Sequence, residues 1–233
     1  MLDQKKHRFH LINILLKLYK DTEIASVLGF KGGTAAYLFY DLPRFSVDLD
    51  FDLLGSFNKM DKITALLAKD YVIKDQFDKR YTLFWLISYG KGSVNIKIEV
   101  SKRPTKNRFE SKFFYGVSVA AMVLPDMIAN KLTAIVDRKK FANRDIFDAH
   151  YFLSQPGVVE INYQLIKERT GLEAKQFYQK MYQRINKKRQ ENLLHGMGEL
   201  LTGKQKTWVK EKLLDELNEL IKIQLDILKK EGN

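Results

Sequence analysis

The spacing of the hydrophobic positions changes along this chain. At the start they recur at intervals of three and four residues, which predicts an amphipathic helix over residues 2 to about 20. The residues of that stripe are Phe9, Ile12, Leu15, Leu16 and Tyr19. The middle of the chain has strand-like alternation, and from Met127 onward only helical periods remain. The pattern predicts a sheet-containing domain over 1–122 and a helical domain over 123–233.

The first helix also carries two histidines. His7 and His10 lie one helical turn apart on a lysine-rich face, where exposed polar residues are expected, and we assign them no function. The last predicted helix covers about 206–229 and repeats leucine and isoleucine at helical spacing, which is typical of a bundle element.

The strand-like part of the chain contains three runs rich in β-branched and aromatic residues. These runs are 71–77, 81–89 and 93–101. The last two flank Gly90-Lys91-Gly92, which suits a hairpin turn. Residues 101–114 are polar, cationic and interrupted by Pro104, so a loop is predicted there. A short strand near 116–119 is expected to close the sheet.

One further strand carries three carboxylates on a single face. Apolar and acidic residues alternate strictly along it, as Val47, Asp48, Leu49, Asp50, Phe51 and Asp52. Because side chains on a strand point to opposite faces in turn, one face is apolar and the other is acidic. Carboxylates this close repel each other unless a cation neutralises them, and Mg²⁺ prefers oxygen ligands. The pattern predicts that this acidic face binds Mg²⁺, and Asp52, at its far end, is expected to be solvated.

A glycine turn precedes this acidic strand. Gly32-Gly33-Thr34 opens a predicted helix that continues over 35–40, and Pro43 separates that helix from the strand. Glycines permit positive φ and close approach of the backbone, and the free N–H groups at a helix start bind phosphate. We therefore expect the turn, together with Arg44 and Ser46, to hold the phosphates of a nucleotide.

These motifs resemble those of a known group of enzymes. Gly-Gly-Thr followed by Arg-x-Ser-x-Asp-x-Asp-Phe, over residues 32–51, is similar to the polymerase-β-like nucleotidyltransferase superfamily. The amino-acid sequence of this segment resembles that of the AbiEii/AbiGii (MenT-like) toxins of abortive-infection and toxin–antitoxin systems. The resemblance implies an α/β (α+β) fold, with a mixed sheet and helices followed by a C-terminal helical bundle that completes the active-site cleft.

The resemblance also implies an activity and its partners. It implies an Mg²⁺-dependent enzyme in which Asp48 and Asp50 are the metal-binding pair. Such an enzyme uses NTP as substrate, adds nucleotides to the 3′ end of tRNA and releases pyrophosphate. A cognate antitoxin protein is an implied partner.

The last strand-like run supplies another carboxylate. Glu99 and Lys97 alternate with the apolar residues of that run and face away from them. If this strand lies beside the acidic strand, the resemblance implies that Glu99 is a general base or a third metal ligand, although the family more often has Asp here. The alternative is an exposed glutamate paired with Lys97 or Lys102.

Two predicted helices over 127–153 carry the remaining charged motifs. The segments KLTAIVDR and RDIFDAHYFL are similar to the later AbiEii motifs, Lys-x-x-Ala-x-x-x-Arg and Arg-Asp-x-x-Asp. By that resemblance Lys131 contacts the triphosphate and Asp148 holds or orients it, with Asp145 and Arg144 as supporting residues. Considered alone, these segments also fit an ordinary pair of salt-bridged helices, with Arg144 and Asp148 at i, i+4.

Composition narrows the class of protein. The 233 residues are 45% hydrophobic, which is enough for a substantial core, and no apolar run approaches the ~20 residues that span a bilayer. The sequence has no cysteine, which excludes disulfides, thiolate zinc sites and cysteine nucleophiles. A cytoplasmic protein without a membrane anchor is expected.

Charge favours a polyanionic partner. The formal net charge is +12, and lysine and arginine that neutralise phosphates release counterions on binding, so nucleic acid is the leading class of partner. A predicted helix between residues 173 and 191 has cations beside an apolar stripe: Lys180, Arg184, Lys187 and Lys188. Such a face either binds along an RNA backbone or is simply solvated. The same two explanations, binding to nucleic acid or a solvated surface, apply to the net charge of the chain.

We prefer tRNA as the acceptor, and two alternatives stay open. In the first alternative, the chain is a related enzyme that transfers the nucleotide to a protein hydroxyl, and its basic surface is incidental. An inactive nucleotidyltransferase-like module, in contrast, only binds RNA or an antitoxin.

Overall fold

The computed structural model describes residues 2–56, 60–156, 160–188 and 192–230. Contacts within the chain divide it into two compact units, Met1–Val123 and Leu124–Asn233, and each is described separately below. The predicted domain boundary at residue 122 stays a prediction. Among the described helices, none has both the length and the apolar character required to cross a membrane.

The first unit contains a mixed sheet. Its helices are α1 (Gln4–Lys20), α2 (Thr22–Ala25), α3 (Gly32–Phe39) and α4 (Met60–Ala68). Its strands are β1 (Leu28–Lys31), β2 (Leu49–Leu53), β3 (Val72–Lys79), β4 (Thr82–Ser88), β5 (Ile96–Ser101), β6 (Phe109–Phe114) and β7 (Val117–Met122). The strand order is β3-β4-β5-β2-β1-β7-β6, with β2 parallel to β5 and β1 parallel to β7. The predicted fold class is confirmed.

The core of this unit lies on one face of the sheet. Tyr19 of α1 lies against Phe51, with ring centroids 6.4 Å apart, and Trp85 Nε1 donates a hydrogen bond to the Thr64 hydroxyl of α4 (2.8 Å). The inward residues of the central strands are buried: Leu49, Phe51, Leu83, Trp85, Ile87, Ile96, Ile98 and Val100. Because side chains alternate along a strand, the polar residues of the same strands lie on the opposite face.

Two strands of the first unit differ from the sequence prediction. The predicted loop over 101–114 is wrong at its end, because Phe109–Phe114 forms β6 and pairs antiparallel with β7. This strand lies at the sheet edge and its polar residues face solvent, so it lacks an apolar run. Strand β1 was missed because its four residues, Leu28–Lys31, are too few to show alternation. The antiparallel pairing of β4 with β5 is as predicted.

The second unit is helical throughout its described residues. Its helices are α5 (Leu124–Asp137), α6 (Asn143–Leu153), α7 (Tyr163–Thr170), α8 (Ala174–Asn186), α9 (Gly203–Glu211) and α10 (Leu213–Lys230), with a 3₁₀ turn at Gly198–Leu200. The single predicted helix over 206–229 is wrong. A capping box between Thr202 and Gln205 starts α9, and Lys212 (φ −128°, ψ −29°) separates α9 from α10. No glycine or proline marks this break, so the helical period gave no sign of it.

Candidate active site

Two glycines bring the start of α3 against the acidic strand. Gly32 has φ +82°, and a Cβ atom built there would lie only 2.3 Å from Asp50 Oδ2. A Cβ on Gly33 would lie 2.8 Å from the Ser46 hydroxyl oxygen and 3.2 Å from an Arg44 guanidinium nitrogen. The close approach expected of this turn is therefore present, and only glycine permits it at Gly32.

The residues between α3 and β2 are held by buried polar contacts. The Thr34 hydroxyl donates to the main-chain carbonyl of Asp48 and lies 2.9 Å from the Ser46 hydroxyl. Arg44 is only 2% exposed, and its guanidinium donates to the main-chain carbonyl of Phe45 (3.1 Å). These contacts fix the segment that leads into β2. The structure thus brings the predicted phosphate-binding residues together with the carboxylates.

The carboxylates lie on one face of neighbouring strands. Asp48 directly precedes β2, and the main-chain N–H of Lys97 donates to its Oδ1 (3.4 Å). In the sheet register Asp50 is paired with Lys31 of β1 on one side and with Glu99 of β5 on the other. Paired residues share a face of the sheet, so Asp50 and exposed Glu99 are neighbours. The expectation that the Glu99 strand lies beside the acidic strand is confirmed.

Asp52 differs from the sequence prediction. We expected a solvated side chain, but Asp52 is 2% exposed, forms an ion pair with Lys31 and accepts a hydrogen bond from Asn107 Nδ2 (2.7 Å). Asn107 comes from the segment between β5 and β6, which lies far away along the chain. The third aspartate is therefore a buried partner of Lys31, and local alternation could not predict this.

His7 was also predicted wrongly. It is fully buried, with Nε2 2.9 Å from the main-chain carbonyl of Val47 and Nδ1 2.9 Å from the Tyr89 hydroxyl. Burial lowers the pKa of His7, while the Val47 carbonyl and the charge of Asp48 oppose that shift. His7 therefore anchors the main chain immediately before Asp48. Its spacing of four residues from buried Leu11 could have revealed its burial.

In the second unit, two ion pairs join α5 and the residue that follows it to α6. Lys131 Nζ lies 2.7 Å from Asp148 Oδ2, and Asp148 is fully buried. Arg138 lies 3.2 Å from Asp145 Oδ2, which also accepts from the main-chain N–H of Ala142 (2.9 Å). Arg144 is exposed. The structure thus pairs Lys131 with Asp148 and Arg138 with Asp145 within this unit.

Arg184 has a structural contact that the sequence did not indicate. Its guanidinium donates to the main-chain carbonyls of Val136 (3.3 Å), Arg138 (2.5 Å) and Lys139 (3.2 Å), at the end of α5. A cation there satisfies carbonyl groups that lack helical partners and complements the helix dipole. The proposed basic face of α8 therefore consists chiefly of the other cations, of which Lys180 and Lys187 are exposed.

The carboxylates suit a divalent cation that arrives with a nucleotide. Among the described residues, no three Asp, Glu or His side chains form a ready-made metal cluster. Mg²⁺, however, commonly uses one or two carboxylates and completes its shell with water and substrate phosphates. Asp48 and Asp50 provide such a pair, and the missing side chain at Gly32 admits the Asp50 carboxylate against the start of α3. The donor set therefore fits Mg²⁺.

Comparisons with known proteins concern the family and the fold of the chain. The sequence model of a family described as "Nucleotidyl transferase AbiEii toxin, Type IV TA system" matches residues 15–216. The crystal structure of JHP933 from Helicobacter pylori is similar, with 23% identity, a TM-score of 0.65 and coverage of 100% of this chain and 97% of that one. The crystal structure of a candidate nucleotidyltransferase from H. pylori is also similar, with 22% identity, a TM-score of 0.64 and coverage of 99% of this chain and 98% of that one. No curated protein matches.

Proposed function

This chain belongs to the AbiEii nucleotidyltransferase toxin family of type IV toxin–antitoxin systems, and from that membership we propose that it transfers NMP from NTP to the 3′ end of RNA. We propose tRNA as the acceptor and pyrophosphate as the leaving product. The observation that carries the proposal is the contact of the Gly32 turn with Asp50, whose neighbour in the sheet is Glu99. A phosphate-binding turn, a metal-binding carboxylate and a candidate base are therefore adjacent.

The turn and its neighbours bind the nucleotide phosphates in this proposal. The first N–H groups of α3 lack helical partners and are positioned by Gly32 and Gly33 to donate to phosphate oxygens. Arg44 adds a permanent positive charge beside Gly33, and Thr34 and Ser46 hold the turn in place. Family resemblance adds Lys131 as a triphosphate ligand. Its ammonium is oriented by Asp148 and keeps donors for a phosphate.

Transfer requires an attacking hydroxyl and stabilisation of the leaving group. Asp48 and Asp50 hold Mg²⁺, which when bound supplies positive charge to the phosphates. Glu99 accepts the proton of the acceptor 3′ hydroxyl, whose oxygen forms a new bond to the α-phosphorus. The bond between that phosphorus and the β-phosphate oxygen breaks, and Arg44 neutralises charge on the departing pyrophosphate.

A labelling experiment tests this proposal. Purified protein is incubated with each radiolabelled NTP, Mg²⁺ and total RNA, and we expect label at the 3′ end of tRNA. Asp48→Asn and Asp50→Asn should abolish transfer without changing Tm greatly, whereas Asp61→Asn, an exposed carboxylate at the start of α4, should keep full activity. Transfer that persists in both site variants would contradict the metal assignment.

Other results of the same experiment decide between the alternatives. Label on protein would replace the RNA acceptor by a protein hydroxyl. No label with any NTP, together with retained RNA affinity, would identify a binding module. Membership of a toxin–antitoxin family also implies a cognate antitoxin, so its presence should be controlled in these assays.

A further inference from the structure

An aromatic pair continues the carboxylate row across the sheet. The register pairs Asp50 with Glu99, Glu99 with Phe84, and Phe84 with Phe77. Directly paired residues share a face, so these four side chains form one line across β2, β5, β4 and β3. With strands about 4.8 Å apart, Phe84 follows Glu99 at about 5 Å and Asp50 at about 10 Å.

The two rings are stacked and lie outside the core. Their centroids are 4.6 Å apart and their planes differ by 9°, and both side chains are only half-buried. The alternate residues of β4, such as Trp85, face the core on the other side of the sheet. Because the centroid spacing equals the strand spacing, the stack runs along the row. One face of the Phe84 ring is covered by Phe77, and its other face is directed toward Glu99.

One cation lies on this aromatic pair, and two more lie beside Tyr81 at the adjoining turn. Lys79 Nζ lies over the Phe77 ring, 4.2 Å from its centroid. At the adjoining turn, the guanidinium groups of Arg80 and Arg103 lie 5.0 and 5.4 Å from the ring centroid of Tyr81, which is 42% exposed. Asp75 and Glu99 are the acidic side chains that share the sheet face of the pair on β3 and β5. Cations and exposed aromatic rings therefore lie together at this end of β3 and β4.

Such a surface has the chemistry that binds single-stranded nucleic acid. Aromatic rings stack on bases of any sequence because every base has a π face, and neighbouring cations follow the backbone. Paired bases inside a duplex cannot reach a ring on a flat sheet, so a free end is the suitable ligand. The order of side chains along the row also matters. The candidate base Glu99 lies between the metal-binding Asp50 and the Phe84 ring.

We propose that Phe77, Phe84, Lys79, Arg80 and Arg103, the aromatic platform, bind the single-stranded 3′ end of the acceptor RNA. The terminal base stacks against the aromatic pair, and its ribose extends toward Glu99, where the 3′ hydroxyl loses its proton. This inference rests on the proposed function and assigns the acceptor subsite to the β4 side of the carboxylates. Binding is expected to be tolerant of base identity and weaker for a blunt duplex.

The test measures binding apart from catalysis. The probe is a short single-stranded RNA with a 5′ fluorophore, titrated by anisotropy without NTP or divalent metal. Phe84→Leu, which keeps apolar volume and removes the ring, should weaken binding at least about fivefold, and Phe84→Trp should restore it. Phe113→Leu is the matched control, because Phe113 is 82% exposed on β6 of the same sheet and lies outside the row. Unchanged affinity in Phe84→Leu, or an equal loss in Phe113→Leu, would overturn the proposal.

A second variant keeps the test valid if Phe84→Leu does not fold. Arg80 and Arg103 are exposed, so the double variant R80Q/R103Q should retain the fold. It should reduce the slope of log affinity against log salt by up to about 1.4, since each lost contact to a single strand contributes about 0.7. An unchanged slope would show that the platform does not contact the RNA backbone.

Failure of the platform and failure of the proposed function give different results. If the wild-type protein extends RNA but Phe84→Leu leaves both the affinity and the KM for RNA unchanged, the platform is refuted and the transferase stands. If RNA binds in a manner that depends on Phe84 but no NTP is transferred, the platform stands and the transferase is refuted. If the wild-type protein does not bind the RNA probe, the platform is refuted directly.

Discussion

The substitution Gly32→Ala tests the contact on which the proposed site depends. The residue has φ +82°, a conformation that costs an alanine about 1–2 kcal/mol. In addition, the new Cβ would lie 2.3 Å from Asp50 Oδ2, whereas ordinary contact begins at 3.4 Å. The turn and the carboxylate must therefore separate by about 1 Å, and a misplacement of about 1 Å can cost about a hundredfold in rate. We expect a modest loss of stability and a large loss of kcat/KM.

Gly116→Ala separates the backbone cost from the contact. Gly116 has φ +78° in the turn between β6 and β7, and a Cβ there would meet no described atom within 4 Å. Gly116→Ala should lose about 1–2 kcal/mol in urea unfolding, and Gly32→Ala at least as much, because the backbone penalty is the same and only Gly32→Ala adds the contact with Asp50. Only Gly32→Ala should lose nucleotide transfer, measured as kcat/KM with labelled NTP and RNA under saturating Mg²⁺.

Two outcomes would refute this reasoning. Equal transfer activity in the two alanine variants would mean that Asp50 does not need its place beside the turn. A Gly32→Ala variant that unfolds far more easily than Gly116→Ala, with normal activity in the folded fraction, would mean that the turn has only a structural role.

Three further predictions concern the rest of the molecule. Lys131→Met removes the ammonium group that pairs with the fully buried Asp148, and it should lower the free energy of unfolding by about 3–5 kcal/mol. In urea titrations the double variant K131M/D148L should recover much of this loss. Arg184→Gln should cost about 1–2 kcal/mol by uncapping α5, whereas K180A/K187A should leave stability unchanged and flatten the salt dependence of RNA affinity if α8 contacts RNA. The folded-state pKa of His7 lies below the unfolded value near 6.5, so its contribution to stability is complete above pH 6.5 and is lost as pH falls toward the lowered pKa. When unfolding is measured across this pH range, His7→Gln should lose less stability on acidification than the wild-type protein. An equal loss would exclude His7 as the cause. The remaining candidates would then be His10 and His150, whose pKa values burial also lowers.

Much of the candidate site could be predicted because its signals are local. Strict alternation over 47–52 defines which side chains share a face of β2, and the pair Gly32-Gly33 indicates a close backbone approach whatever the rest of the chain does. The helical periods of α1, α5 and α6 are equally local and were recognised. These features depend only on residues a few positions apart, so the family resemblance could be drawn from one short window.

The remaining features depend on residues that are distant in sequence. Alternation puts Asp52 on the acidic face, but only the approach of Asn107 and Lys31 makes it buried. From the sequence, Arg184 is one more cation on a helix face. Only the structure shows that its guanidinium donates to main-chain carbonyls at the end of α5.

Sequence alone therefore determined the class of fold, the acidic strand, the glycine turn and the family. Tertiary structure decided which carboxylate is buried, and strand register decided that Asp50, Glu99, Phe84 and Phe77 form one line. The physical reason is that local periodicity specifies the face on which a side chain lies, whereas its neighbours on that face are specified by long-range pairing.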